Sequence, residues 1–186
     1  MRRFALLALL SLIATPLAFS AADGDKADLK PGLWAEIFDM GEAIEDFPTI
    51  PDTRKPTVAR ADQTIDAEPG QDAWPNTELN EHFFIRWTGV IRIEKEGTYE
   101  LFLESDDGSR LFVDGKQVLD NNGLHGMDEK SAKVELKPGD HELKIWYFES
   151  GGDCGCKFRW KAPGGEKEIV PAKVLFHKAP AAAAAK

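Results

Sequence analysis

The chain has 186 residues, 42% of them hydrophobic and 30% charged, which suits one domain of ordinary size with a core and excludes a disordered or fibrous chain. Acids outnumber bases by 32 to 23, for a formal net charge of −9. A surface this acidic repels phosphate, so nucleic acid and anionic membrane are poor partners, while cations and neutral ligands remain open.

The first 22 residues, "MRRFALLALLSLIATPLAFSAA", read as a secretory signal peptide: Arg2 and Arg3, an apolar run from Phe4, then small residues at the cleavage region. The apolar run is too short for a good membrane span. The expected product is secreted, periplasmic or cell-surface, with no membrane insertion after cleavage. Removal takes away two arginines and no acid, leaving 21 bases against 32 acids, a net of −11. Residues 23–31 read as a polar leader.

"LWAEIFDM" alternates apolar and polar residues, as a half-buried strand does. From Gly41 to Asn80 the chain is rich in proline, with Pro48, Pro51, Pro56, Pro69 and Pro75, which forbids long regular elements. "TVARADQTI" offers one short strand, and the rest reads as a surface excursion pinned by Phe47 and Trp74. From Phe83 the strand signal is dense. "FFIRWTGVIRIEK" is rich in β-branched and aromatic residues, and "GTYELFLES" alternates with Tyr99, Leu101 and Leu103 inward, or with the opposite set inward if Phe102 is covered. "RLFVDGKQVL" carries Asp114-Gly115, a two-residue type I′ hairpin signal. "VELKPGDHELKIWYFES" gives two strands about a Pro-Gly turn, and "KFRWKAP" and "EIVPAKVLFHK" close the series. No segment sustains a 3.6-residue apolar period. Short strands with turn signals every 8–12 residues predict an all-β, antiparallel β-sandwich or barrel-like sandwich with long surface loops, over residues 32–177. The alanine-rich tail, 178–186, reads as disordered.

Two cysteines occur, Cys154 and Cys156 in "DCGC". Export permits a disulfide, although C-x-C closes a very small loop; two free thiols or an intermolecular bridge are the alternatives. Zinc is not expected, because there is no second cysteine pair and the histidines are scattered.

The sequence "ESDDGSRLFVDG" places Asp106 beside Asp107 between two strands. Taken alone, D-D-G is a solvated turn, since Asp and Gly are common turn residues. Two carboxylates on one loop also suit a hard cation such as calcium, which takes about 6–8 oxygen ligands. They suit a glycosidase pair less well, because acid and base there stand about 5–9.5 Å apart. No G-x-S-x-G, H-E-x-x-H or C-x-x-C motif occurs. No enzyme activity is expected.

The blocks "RWTG", "EGTYELFLESDDGSRLFVDG", "LKPGDHEL" and "CKFRWKAPGG", in this order, resemble the protective-antigen domain family, the fourteen-kilodalton module first recognised in the anthrax toxin. The resemblance runs from about Gly32 to Phe176 and implies a jelly-roll-like sandwich of two antiparallel sheets. In glycan-binding members the paired aspartates are joined by a cis peptide and bind calcium, which in turn binds sugar hydroxyls. The resemblance therefore makes Asp106 and Asp107 calcium ligands, with a second loop, "ESGGDCGC", supplying Asp153 and the neighbourhood of Ser150, Gly151 and Gly152. Many members carry Asn in that loop; this chain has none there. His125, in the polar loop "DNNGLHGMDE", is a candidate ligand contact, with a structural role as the alternative. The expected function is a secreted, calcium-dependent carbohydrate-binding module whose partner is a glycan or cell-surface polysaccharide. The alternative is a structural or protein-interaction module, with an envelope protein as partner.

Overall fold

A computed structural model describes residues 28–70 and 72–178. Residues 1–22, read from sequence as a signal peptide, most of the segment read as leader and the tail from residue 179 lie outside the described residues.

Thirteen strands are assigned in chain order: β1 (Leu29–Pro31), β2 (Leu33–Asp39), β3 (Val58–Asp62), β4 (Asp66–Gly70), β5 (Phe83–Ile93), β6 (Gly97–Asp106), β7 (Ser109–Val113), β8 (Lys116–Asn121), β9 (Asp128–Leu136), β10 (Gly139–Glu149), β11 (Cys154–Lys161), β12 (Lys167–Ile169) and β13 (Leu175–Lys178). They form two antiparallel sheets. In the first, the order β1-β13-β5-β10-β7-β8 is joined by β2, which pairs with both β5 and β3. In the second, the order is β12-β11-β6-β9, and β4 also pairs with β11.

Residues 29–31, read from sequence as leader, are strand β1: Leu29 faces Lys178 and Pro31 faces Phe176 across β13. Pro31 is tolerated because β1 is an edge strand. Lys178, read as tail, ends β13. Strand β5 is the spine of its sheet. One edge pairs with β10 along its whole length, and the other is shared by β2 and β13. Gly89 sits where these two partners meet. A Cβ there would lie 2.2 Å from the Phe176 carbonyl oxygen, so only glycine fits.

Alternation puts Ile85 and Trp87 of β5, Leu101 and Leu103 of β6, Leu143, Ile145 and Tyr147 of β10, and Phe158 of β11 between the sheets. All are essentially fully buried, and each large side chain removed from water stabilises by roughly 1.5–3 kcal/mol. Phe38, Phe84 and Phe148, on the outer face of the first sheet, form a second cluster with Ile44. The proline-rich excursion folds over them, and Phe47 packs edge-on to Phe148 at 5.0 Å. This is the physical reason the excursion is ordered without long elements.

Three connections cross from one sheet to the other at the same pole. They are residues 107–108 from β6 to β7, residues 122–127 from β8 to β9, and residues 150–153 from β10 to β11.

Candidate metal centre

Register brings these three crossings together. Tyr147 of β10 faces Ser109 at the start of β7, Ser109 faces Asn121 at the end of β8, and Gly155 of β11 faces Asp106. Whatever the crossings carry must therefore meet at one place.

Asp106 and Asp107 are joined by a cis peptide bond. Both are buried, at 9% and 5% exposure. The chain then passes tightly over Phe148: a Cβ on Gly108 would fall 2.4 Å from Phe148 Cε1, and Phe148 N donates to the Gly108 carbonyl at 2.9 Å. The glycine of the D-D-G block is thus fixed by close approach to a packed ring rather than by turn chemistry.

Glu149, fully buried at the end of β10, completes a group of three. One carboxylate oxygen from each of Asp106, Asp107 and Glu149 lies within 4.8 Å of the others. Among the described residues no lysine or arginine forms an ion pair with any of them. Their partners are neutral. Asp107 accepts from His125 N through Oδ1 at 2.8 Å and from Ser150 N through Oδ2 at 3.0 Å. Glu149 accepts from Gly151 N at 2.6 Å, and its Oε2 lies 3.3 Å from the Tyr147 hydroxyl oxygen. Tyr147 donates to the Asp106 carbonyl oxygen at 2.5 Å.

Buried acids without a cation disfavour ionisation. Burial first, and then the charges of Asp107 and Asp153, push the Asp106 carboxyl up to about 6, against a smaller opposing effect of His125. Burial and the Asp107 charge push Glu149 up to about 8, although the Gly151 amide pulls the other way. Three oxygen-donor side chains at this spacing fit a hard divalent cation. Such an ion would neutralise charge that the protein leaves uncompensated.

The sequence-predicted residues divide on this geometry. Asp106 and Asp107 are in the group. Asp153 is exposed; its charge reaches Asp106, but it lies outside the group of three. The Ser150 hydroxyl accepts from Ile44 N at 3.0 Å, so Ser150 ties the excursion to the centre. Gly151 contributes its amide to Glu149, and Gly152, at φ 108, makes the turn that follows. His125 clamps a loop: its ring nitrogens lie 2.9 Å from the Gly126 carbonyl and 3.1 Å from the Asn121 carbonyl. Glu149 was not singled out from sequence. The signal was present, because the alternation Leu143, Ile145, Tyr147 carries position 149 onto the inward face, where a glutamate is out of place.

Behind the centre, Ser105 and Ser109 share a hydrogen bond of 2.6 Å, and Asn121 donates to Ser105 and to the Asp128 carbonyl. Cys154 and Cys156 are both free and buried. They occupy alternate positions of β11 and join the core, so of the alternatives left open by the sequence the structure has two thiols.

A family profile described as the PA14 domain matches residues 29–173. An anti-sigma-I factor, RsgI3, from Acetivibrio thermocellus is 28% identical over 118 residues, 63% of this chain and 18% of that protein. The structure of an anti-sigma factor domain-containing protein from Clostridium clariflavum is 28% identical with a TM-score of 0.68, over 81% of this chain and 48% of that one. The chain thus spans less than a fifth of its curated relative and about half of the solved one. A PA14 sugar-binding domain from an RTX adhesin superposes with a TM-score of 0.69 at 19% identity, over 79% of this chain and 98% of that domain. With the profile covering most of its length, and two antiparallel sheets packed as the profile's fold requires, the chain belongs to the PA14 domain family.

Proposed function

We propose that this protein is a non-catalytic, calcium-dependent carbohydrate-binding module that works outside the cytoplasm. The observation that carries the reading is the buried group Asp106, Asp107 and Glu149, which has no cationic partner among the described residues. In this reading the three carboxylates hold the ion, and Asp153 stands at the rim. Backbone amides of His125 and Ser150 keep Asp107 oriented. A bound calcium ion supplies coordination positions that vicinal sugar hydroxyls can fill. The likeness to an adhesin domain described as sugar-binding supports the ligand class. The sequence motif at residues 1–22 supports export, and no helix of the described residues is long and apolar enough to cross a membrane.

Calorimetric titration of calcium into wild type and Asp107→Asn tests the metal assignment. The variant should bind at least tenfold more weakly, while wild type gains about 2.7 kcal/mol of stability at free calcium near 100 times Kd. Equal heats in the two proteins would sink the assignment. A glycan array with calcium and with chelator then tests the sugar.

The similarity to anti-sigma factors favours a second reading, a protein-interaction module within an envelope protein. A blank array combined with an intact calcium response would favour it.

A further inference from the structure

Among the described residues, Leu124 is the one large hydrophobic side chain left mostly in solvent, at 57% exposure. A single exposed leucine is ordinary on most surfaces. This one is set apart by where it is held. It lies in the crossing from β8 to β9, flanked on both sides by residues that touch the D-D-G turn. His125 donates its backbone N–H to Asp107 Oδ1. A Cβ built on Gly126 would stand 3.9 Å from Asp106 Oδ2, and one built on Gly108 would stand 3.2 Å from the Gly123 carbonyl oxygen.

The loop is also clamped. Both ring nitrogens of His125 lie against backbone carbonyls, at 2.9 and 3.1 Å. Asn122 is held through its N–H by Asp120 at 3.1 Å and through its amide by Asp46 at 2.9 Å. The backbone on either side of Leu124 is therefore held beside the carboxylate group, with the exposed isobutyl group between, and no ordering of the loop is needed when a ligand covers it.

We infer that Leu124 selects the ligand: the sugar taken at this centre carries a methyl group beside the hydroxyls that reach the ion, and that methyl lies on the Leu124 isobutyl group. The inference rests on the calcium-dependent carbohydrate reading above. An aliphatic branch has no aromatic face on which a flat ring could stack, so it rewards a compact apolar group. Two kinds of sugar present one, the 6-deoxyhexoses and the N-acetylhexosamines, and the chemistry at Leu124 is common to both.

Four sugars titrated into the calcium-loaded full chain decide it: L-rhamnose against L-mannose, which differ by the 6-hydroxyl, and N-acetylglucosamine against N-formylglucosamine, which differ by the acetyl methyl. Burying one methyl group corresponds to about 0.8 kcal/mol, so the methyl-bearing member of one pair should bind about fourfold more tightly. The pair that shows the difference identifies the source of the methyl. In Leu124→Ser the ratio should fall to near one, while calcium affinity and the affinity for the methyl-free sugar stay as in wild type. Equal affinities within both pairs in wild type would overturn the inference and leave the sugar reading standing. So would a ratio that survives in Leu124→Ser. Normal calcium binding with no heat from any of the four sugars would overturn the carbohydrate reading and the inference together.

Discussion

Glu149 is the residue on which the centre turns. It is fully buried, its carboxyl is pushed up to about 8, and its neighbours are two more carboxylates. A carboxyl raised in the folded state stabilises fully below its unfolded value, near 4.5, and that contribution is lost as pH rises through about 8. Metal-free wild type should therefore lose stability between pH 5 and 9, and Glu149→Gln should lose less, by on the order of 2 kcal/mol. Urea denaturation in chelator across that range is the measurement; parallel curves would refute the assignment. Calcium should stabilise Glu149→Gln less than wild type. At this scale the sequence shows the paired aspartates through their motif. Glu149 has no motif, and only strand phase marks it. The roles of Ser150 and His125 were not legible at all, because they depend on which way a hydroxyl or an imidazole turns once the crossings are packed.

At the scale of elements, the hairpin between β7 and β8 is the clearest case of legible turn chemistry. Asp114 at φ 50 and Gly115 at φ 75 both take left-handed conformations, as a type I′ turn requires. Asp114 does more than turn. Its carboxylate accepts from Glu142 N at 2.9 Å and meets His141 Nδ1 at 2.7 Å, while His141 Nε2 lies 2.8 Å from the Lys137 carbonyl. Burial works against a charged His141, but these two acceptors and the charge of Asp140 outweigh it, and the pKa is raised. The pair stabilises below about 6.5, and that contribution is lost as pH rises through the folded value. Because Asp114 is half exposed, the contribution is about 0.5 kcal/mol. An NMR titration should place the His141 ring above 6.5 in wild type and move it down in Asp114→Asn; an unmoved ring would show that Asp114 is not the cause. The elements hardest to read were β1 and β4, three and five residues long, which exist only through their pairing with β13 and β11. The Pro138-Gly139 turn was visible as a turn, yet it carries the chain from β9 in one sheet to β10 in the other. Turn residues alone do not distinguish a crossing from a hairpin.

For the molecule as a whole, the sandwich was readable from alternation and from the ordered blocks, whereas the assignment of strands to sheets was not. The core also settles the cysteines. Burial, joined by the charges of Glu149, Asp106 and Asp153, pushes the Cys154 thiol up to about 11, and burial raises Cys156 further. Thiolate is the reactive form, so both should be silent in the native protein. A thiol reagent should label them at the rate of global unfolding, and rapid labelling of either one in native conditions would contradict this packing.

Tyr147 has one further consequence. Its hydroxyl touches Asp106 and Glu149, while its ring stands 5.2 Å from Trp74, which in turn stands 6.1 Å from Trp87. A change of charge at the carboxylates is thereby delivered to a chain of three coupled chromophores in the core. The protein carries its own optical gauge of the centre, legible in ultraviolet emission and near-ultraviolet dichroism without any attached dye.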